Sequence, residues 1–141
     1  MRIGYTTGVF DLFHVGHVRL LRRAKEQCDF LIVGVTTDEL VSYKGKKAVI
    51  PLEQRMEVVA SVKWVDKVVA QFSMDKMKAW NEFKFNVMFV GDDWKGTEKW
   101  NRFEVEFSKV GVEIVYFPYT KETSSTLINQ TLNDLRKSGA R

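Results

Sequence analysis

The chain has 141 residues, of which 45% are hydrophobic and 28% charged, a composition that excludes a disordered or low-complexity protein and fits a folded domain. Its 22 lysines and arginines against 18 aspartates and glutamates give a net charge of +4, which suits an anionic partner; the basic residues form no long stripe, so no nucleic-acid partner is expected. A single cysteine and two histidines exclude an internal disulfide and a Cys/His zinc cluster, and no apolar run approaches the roughly 20 residues that cross a bilayer, so no membrane insertion is expected.

The first three predicted elements form a βαβ unit. Met1 leads directly into a β-prone segment, residues 3–7, without a signal-peptide pattern, so a cytoplasmic location is the default expectation. Gly8 breaks this strand, and a helical pattern of apolar residues begins near His17. The run 30–35 is too continuously apolar for a half-exposed strand and predicts a parallel strand that is buried on both faces.

The alternation of strands and helices continues along the rest of the chain. Residues 42–47 predict a mobile basic loop, and Pro51, in a first helical turn, opens a helix over 52–62. Strands are predicted at 65–70, 87–90 and 113–117, helices at 73–83, 101–110 and 125–136 with Ser124 or Ser125 as N-cap, a polar loop at 91–96 and a frayed tail at 137–141. This order predicts an α/β fold: one doubly wound, Rossmann-like domain, residues 1–136, with a five-stranded parallel sheet and helices on both faces. Such sheets bind ligands outside the carboxyl ends of the strands, where the strand order reverses.

Both histidines follow the first predicted strand. His14 and His17 are three residues apart at the entry to a helix, so we expect them on one side of it beside backbone N–H groups, an arrangement that can bind phosphate. Gly8 would let the backbone pass close to a ligand, and Gly16 would leave room for a phosphate between the histidines. The alternative is structural: His14 caps the helix, His17 packs, and Asp11 is a turn or capping residue.

These residues carry a resemblance to a known family. The segment Gly8-Val9-Phe10-Asp11, followed by His14-Val15-Gly16-His17, resembles the HxGH signature of the nucleotidyltransferase superfamily. The resemblance covers nearly the whole chain and continues through Thr37-Asp38, Lys44-Gly45-Lys46-Lys47, Glu53, Arg55, Val65-Asp66, Gly91-Asp92-Asp93-Trp94 and Ser124-Ser125-Thr126. The length and the Gly-Asp-Asp-Trp loop are most similar to the homodimeric bacterial cytidylyltransferases that act on glycerol 3-phosphate.

The resemblance implies a reaction and a set of site residues. An alkyl phosphate, with sn-glycerol 3-phosphate as the first candidate, would attack the α-phosphorus of CTP in line and release pyrophosphate and a CDP-alcohol for a cell-surface polysaccharide or phospholipid pathway. His14, His17 and Lys46 are implied as catalytic residues, and Lys44, Arg55 and Lys76 as contacts of the acceptor. The nucleotide would contact Lys46 and Thr7, Gly8, Val9, Phe10, Asp11, Gly16, Lys63, Asp92, Asp93, Thr120, Ser124, Ser125 and Thr126. Mg²⁺ is implied as a cofactor that the nucleotide phosphates mainly bridge; Asp92 and Asp93 would hold it, orient the base or only cap their loop.

One segment departs from the family pattern and keeps alternatives open. Residues 119–126 resemble the signature Arg-Thr-Glu-Gly-Ile-Ser-Thr-Thr, but Tyr119 replaces the arginine, Glu122 the glycine and Thr123 the isoleucine. The missing arginine removes a phosphate or base contact, which Lys121 can replace. The alternatives are an adenylyltransferase of the same superfamily with a flavin or sugar-phosphate acceptor, and a non-catalytic nucleotide-binding subunit. Trp94 is expected to pack against the core or to wall the base pocket.

Overall fold

The computed structural model describes residues 1–43, 45–118 and 130–135. In these ranges five strands form one sheet: β1 (Ile3–Gly8), β2 (Phe30–Thr36), β3 (Lys67–Gln71), β4 (Val87–Gly91) and β5 (Glu113–Phe117). Their order is β3-β2-β1-β4-β5, and all four pairings are parallel. The predicted five-stranded parallel sheet is confirmed, and its strand order reverses between β1 and β4.

Helices cover both faces of the sheet, as predicted. They are α1 (Val15–Glu26), α2 (Asp38–Tyr43), α3 (Leu52–Ala60), α4 (Lys76–Phe83) and α5 (Glu98–Ser108); a 3₁₀ turn (Asp92–Trp94) follows β4, and residues 130–135 are helical. Alternate residues of β2 belong to different hydrophobic clusters, because successive side chains of a strand point to opposite faces. Leu31 and Val33 pack with α1 and α3, whereas Ile32 packs in the cluster that contains Trp100 and Phe107 of α5.

Capping groups explain where two helices begin. The Asp75 carboxylate accepts the N–H groups of Met77 and Lys78, so α4 begins at Lys76 rather than at residue 73. The Thr97 hydroxyl accepts the N–H of Trp100, so α5 begins at Glu98 rather than at residue 101. In both cases the helix begins directly after a side chain that satisfies an N–H of its first turn.

The segment after β2 differs most from the prediction. The helix α2 was not predicted; it follows Thr37, whose hydroxyl accepts the N–H of Leu40 at 3.2 Å. Pro51 is the N-cap residue that precedes α3, with ψ 153°, rather than a residue of the first turn. β3 begins at Lys67 rather than at residue 65. The predicted N-cap at Ser124 or Ser125 and the tail 137–141 lie outside the described residues.

Candidate active site

Helix α1 begins with a reciprocal pair of hydrogen bonds between its two histidines and the backbone. The N–H of Gly16 donates to His14 Nδ1 at 3.0 Å, and the N–H of His14 donates to His17 Nδ1 at 3.2 Å. This is a capping box in which histidines occupy the N-cap and N3 positions, where N3 is ordinarily Glu or Gln. The ring centroids lie 4.1 Å apart, so the two imidazoles are fixed side by side at the amino end of the helix.

The capping box also determines where the imidazole protons are. A ring nitrogen that accepts an N–H carries no proton, so both histidines are neutral and hold their proton on Nε2. Burial lowers the pKa of His14. Burial, reinforced by the neighbouring His14 and opposed by Asp11, lowers the pKa of His17 to about 4. Each ring therefore offers one N–H donor beside a helix amino terminus, where anions are favoured.

The structural alternative for the histidines and the phosphate-binding prediction are compatible. His14 does cap α1, and His17 does pack, with its ring 5.3 Å from that of Phe10 and 5.1 Å from that of Phe13. Both roles use Nδ1 or the ring faces and leave Nε2 as the donor. The capping residue and the candidate phosphate ligand are thus the same side chain.

Phe10 belongs to the hydrophobic core. It is 4% exposed and has a φ of 53°, in the left-handed region that few side chains adopt. A Cβ added to Gly8 would lie 2.9 Å from the Phe10 ring. The packing of Phe10 within the chain therefore requires Gly8, which is a different reason from the predicted close approach of a ligand, and the Phe10 side chain is not presented to a nucleotide.

Arg55 is buried rather than presented to a substrate or exposed on the surface. Its side chain is 1% exposed, and four of its five N–H donors are engaged. Nε donates to Ile50 O at 2.7 Å, Nη1 donates to Val9 O at 2.9 Å and to Thr36 O at 2.7 Å, and Nη2 pairs with Asp38 at 2.5 Å. Asp11 is also buried, at 4% exposure, and its carboxylate accepts the N–H groups of Val49 and Ile50.

A second group of polar side chains lies at the carboxyl ends of the central strands. Lys76, 5% exposed at the start of α4, donates from Nζ to the hydroxyl of Thr7, at the end of β1, at 3.0 Å. The Thr36 hydroxyl donates to Gln71 Oε1 at 2.7 Å, which joins the ends of β2 and β3. Thr36 and Gln71 were not predicted from the sequence as site residues. Each is a polar residue at the end of a mainly apolar strand, and this pattern could have indicated them.

The loop after β4 is exposed. Asp92, Asp93 and Trp94 form the 3₁₀ turn, and Trp94 is 50% exposed, so it does not pack into the core. A Cβ on Gly91 would lie 2.7 Å from Asp93 Oδ1, because that carboxylate folds back over the glycine. Within the described part of the chain, no group of three or more His, Cys, Asp or Glu residues could hold a metal ion.

The remaining predicted site residues divide into three sets. Lys46 is exposed in the segment that precedes α3. Lys63 is exposed after α3, at the amino edge of the sheet, with Nζ 5.0 Å from the Trp64 ring. This edge lies about 20 Å, the length of β2, from the edge that carries His14, so the chain does not bring Lys63 to the histidines. Lys44, Thr120, Ser124, Ser125 and Thr126 lie outside the described residues.

The candidate site residues lie at one end of the sheet, around the point of strand-order reversal. Thr7 and the histidine pair lie at and after the carboxyl end of β1, Lys76 follows β3, and Asp92 and Asp93 follow β4. A parallel α/β sheet with a helix amino terminus at the point of strand-order reversal is typical of the class of doubly wound nucleotide-binding proteins. No helix among residues 1–43, 45–118 and 130–135 is long and apolar enough to span a membrane.

Comparison with known proteins identifies the family. The Cytidylyltransferase-like family model matches residues 5–131, and this chain belongs to that family of nucleotidyltransferases. It is 37% identical to the glycerol-3-phosphate cytidylyltransferase of Staphylococcus aureus over 134 residues, which cover 90% of this chain and 92% of the relative. It is 38% identical to an FAD synthase of Archaeoglobus fulgidus over 109 residues, covering 77% and 79%. The lipopolysaccharide core biosynthesis protein of Thermoplasma volcanium has a similar structure, with a TM-score of 0.72 and 28% identity over 87% of this chain and 99% of that one.

Proposed function

We propose that this chain transfers CMP from CTP to glycerol 3-phosphate and releases pyrophosphate. The observation that carries the proposal is the pair of neutral imidazoles at the amino end of α1, each with its proton on Nε2. The similarity to a glycerol-3-phosphate cytidylyltransferase, over 90% of this chain and 92% of that one, supports the choice of nucleotide and acceptor.

The proposed reaction needs positioning and charge stabilisation more than proton transfer. An oxygen of the acceptor phosphate forms a bond to the α-phosphorus of CTP, the bond from that phosphorus to pyrophosphate breaks, and pyrophosphate leaves with the electron pair. The attacking oxygen is already anionic, so no general base is required. His14 and His17 donate their Nε2 hydrogens to phosphate oxygens on which charge grows, and Lys46 adds a positive charge on the nucleotide side. Lys76, at the start of α4, is 5% exposed and donates to the Thr7 hydroxyl, so its contact with the acceptor phosphate stays a prediction.

Mg²⁺ fits this site as a companion of the nucleotide. The exposed carboxylates of Asp92 and Asp93, at the end of β4, are hard oxygen donors that suit it, and the phosphates of CTP would supply most of its ligands. When bound, the ion would neutralise part of the triphosphate charge.

The assembly of the protein is also part of the proposal. A groove of about 570 Å³ between the β1–α1 loop and α3 is lined mainly by apolar side chains, among them Leu12 and Val58, with Gln54 and Arg55 as its polar members; Val58 is 43% exposed. We propose that the protein is a cytoplasmic homodimer whose CDP-alcohol product serves the synthesis of a cell-surface polysaccharide. Light scattering that gives the mass of one chain would contradict the homodimer.

A second candidate function is adenylyl transfer to flavin mononucleotide. The observation that favours it is the 38% identity with an archaeal FAD synthase. That match covers 77% of this chain, less than the match to the glycerol-3-phosphate cytidylyltransferase. Cytidylyl transfer is therefore the first candidate.

One assay separates these functions. Pyrophosphate release is measured with Mg²⁺ and each of CTP, ATP, GTP and UTP, against glycerol 3-phosphate, phosphocholine, phosphoethanolamine and flavin mononucleotide. The proposal expects turnover with CTP and glycerol 3-phosphate. Turnover with ATP and flavin mononucleotide alone would establish the second candidate, and no turnover combined with CTP binding in calorimetry would indicate a non-catalytic subunit.

A further inference from the structure

We propose that Asp11 and Arg55 are positioning residues: they hold the backbone on both sides of Lys46 against the loop that carries the histidines, and neither touches a substrate. The inference rests on the proposed function in one respect, the action of Lys46 on the nucleotide phosphates. It assigns to two buried side chains a role that differs from the direct substrate contact expected from the sequence.

Asp11 fixes the segment on the C-terminal side of Lys46. Its two carboxylate oxygens accept consecutive backbone N–H groups, those of Val49 at 2.8 Å and Ile50 at 2.9 Å. Hydrogen bonds to an ionised carboxylate are among the stronger ones in proteins. Asp11 stands in the β1–α1 loop shortly before His14, so this pair of bonds joins the segment directly to the loop that positions the histidine pair.

The segment is also fixed on the N-terminal side of Lys46. The N–H of Lys46 donates to Val41 O at 3.3 Å, and the N–H of Gly45 donates to Ser42 O at 2.9 Å, which ties this turn to α2. Between the α2 contact at Lys46 and the Asp11 contact at Val49 lie only residues 47 and 48. The direction in which Lys46 leaves the backbone is therefore set by two nearby attachments.

Arg55 joins both attachments to the sheet. From α3 it donates to Ile50 O, beside the Asp11 contact, and it pairs with Asp38, the first residue of α2. The same guanidinium donates to Val9 O after β1 and to Thr36 O at the end of β2. A lysine could not replace it, because a single ammonium group cannot reach acceptors that surround a planar fork of donors.

Burial separates this role from direct substrate binding. Asp11 and Arg55 are 4% and 1% exposed, and both carboxylate oxygens of Asp11 and four N–H donors of Arg55 are already engaged within the chain. Lys46, in contrast, is exposed. Lys46 is therefore free of the burial that engages the other two residues, and its contact with phosphate comes from the proposed function, whereas its placement depends on Asp11 and Arg55.

A double-mutant cycle tests the assignment. The steady-state kcat/KM for CTP is measured for the wild type, Asp11→Asn, Lys46→Ala and the double variant. The asparagine keeps the size of Asp11 but presents an amide NH₂ to one of the two N–H groups, so one bond is lost. We expect kcat/KM to fall about 10-fold in Asp11→Asn and about 100-fold in Lys46→Ala. Because Asp11 acts through Lys46, the double variant should also fall about 100-fold, whereas independent effects would multiply to about 1,000-fold.

Asp66→Asn provides a matched control. The Asp66 carboxylate accepts the N–H of Leu31 at 2.8 Å and pairs with Lys25, at the opposite edge of the sheet. The same substitution removes a carboxylate charge beside Lys25, far from Lys46, so any effect that it has should multiply with that of Lys46→Ala. Arg55→Lys is the second test variant and should show the same non-additivity with Lys46→Ala as Asp11→Asn does; it carries the test if Asp11→Asn does not fold.

Amide hydrogen exchange provides a readout that does not depend on turnover. Exchange should accelerate about 10-fold or more in Asp11→Asn at whichever of the Val49 and Ile50 amides loses its acceptor, and both amides should stay unchanged in Asp66→Asn. The inference would be overturned if Asp11→Asn lowered kcat/KM by the same factor in the wild type and in Lys46→Ala, or if exchange at both amides were unchanged. If the wild type turns over no nucleotide while exchange still accelerates in Asp11→Asn, the proposed function is overturned and the anchoring by Asp11 is established.

Discussion

Replacing His14 by asparagine should separate its capping role from its chemical role. Asparagine is one of the best N-cap residues, and its side-chain oxygen can accept the Gly16 N–H that His14 Nδ1 accepts at 3.0 Å. It has no counterpart of the Nε2–H donor. Alanine at the same position removes both functions, so the two variants differ in the cap alone.

The expected magnitudes follow from these contacts. Loss of an N-cap costs about 0.5–2 kcal/mol of stability, so His14→Ala should be less stable than His14→Asn by about 1 kcal/mol. Both variants lose the donor to the growing phosphate charge, which is worth about 10²–10³ in kcat. His17→Gln provides a parallel case, since glutamine is an ordinary N3 partner in a capping box and can accept the His14 N–H.

Two measurements on the same preparations check the reasoning. Urea denaturation should give His14→Asn a free energy of unfolding within about 0.5 kcal/mol of the wild type and His14→Ala a lower one. Pyrophosphate release from CTP should fall to a similar low level in both. Near-normal turnover of His14→Asn would show that the imidazole serves only as a cap, and equal stability of the two variants would show that the cap contributes little.

Three further predictions concern packing and pH. Gly8→Ala should lower stability by about 1–3 kcal/mol, because its Cβ meets the Phe10 ring at 2.9 Å; the added variant Phe10→Leu should recover part of the loss in thermal unfolding, and no recovery would refute the contact. The pKa of His17 is lowered from 6.5 to about 4, so the neutral imidazole contributes fully to stability above pH 6.5, and this contribution is lost as the pH falls toward 4. The urea midpoint should therefore decline less over this pH range in His17→Gln than in the wild type. Equal declines in the two proteins would contradict the pKa shift. Trp100→Ala should cost about 3–5 kcal/mol and Trp94→Ala less than about 1 kcal/mol in chemical denaturation, because Trp100 is 6% exposed and Trp94 50%; similar losses would mean that Trp94 packs against the core.

The sheet was largely predictable from the sequence because its strands are apolar runs bounded by polar turns. The predicted strand at residues 113–117 coincides with β5, and that at 30–35 falls one residue short of β2. The helix α2 was not predictable in the same way. It has six residues with one buried side chain, Val41, and its start depends on the Thr37 hydroxyl, so no amphipathic period is long enough to mark it.

The candidate site was predictable only where its chemistry is local. The spacing of His14 and His17 indicates a shared helix end, because both residues belong to one turn. The burial of Arg55 could not be inferred, since two of its acceptors, Val9 O and Thr36 O, are backbone carbonyls of distant segments, which leave no mark in the residue types. The position of Lys63 at the far edge of the sheet likewise depends on the course of α3 rather than on any local pattern.

The neutral state of the histidine pair bears on how a product departs. Cationic groups would hold the triphosphate, the transition state and the departing pyrophosphate alike, since all three are anions. An uncharged N–H donor at a helix terminus gains most where negative charge is increasing and less where an anion is merely resting. Because both Nδ1 atoms accept backbone N–H groups, the two imidazoles are uncharged before the nucleotide binds. We therefore expect pyrophosphate to leave the first turn of α1 more readily than it would leave a pair of imidazolium cations.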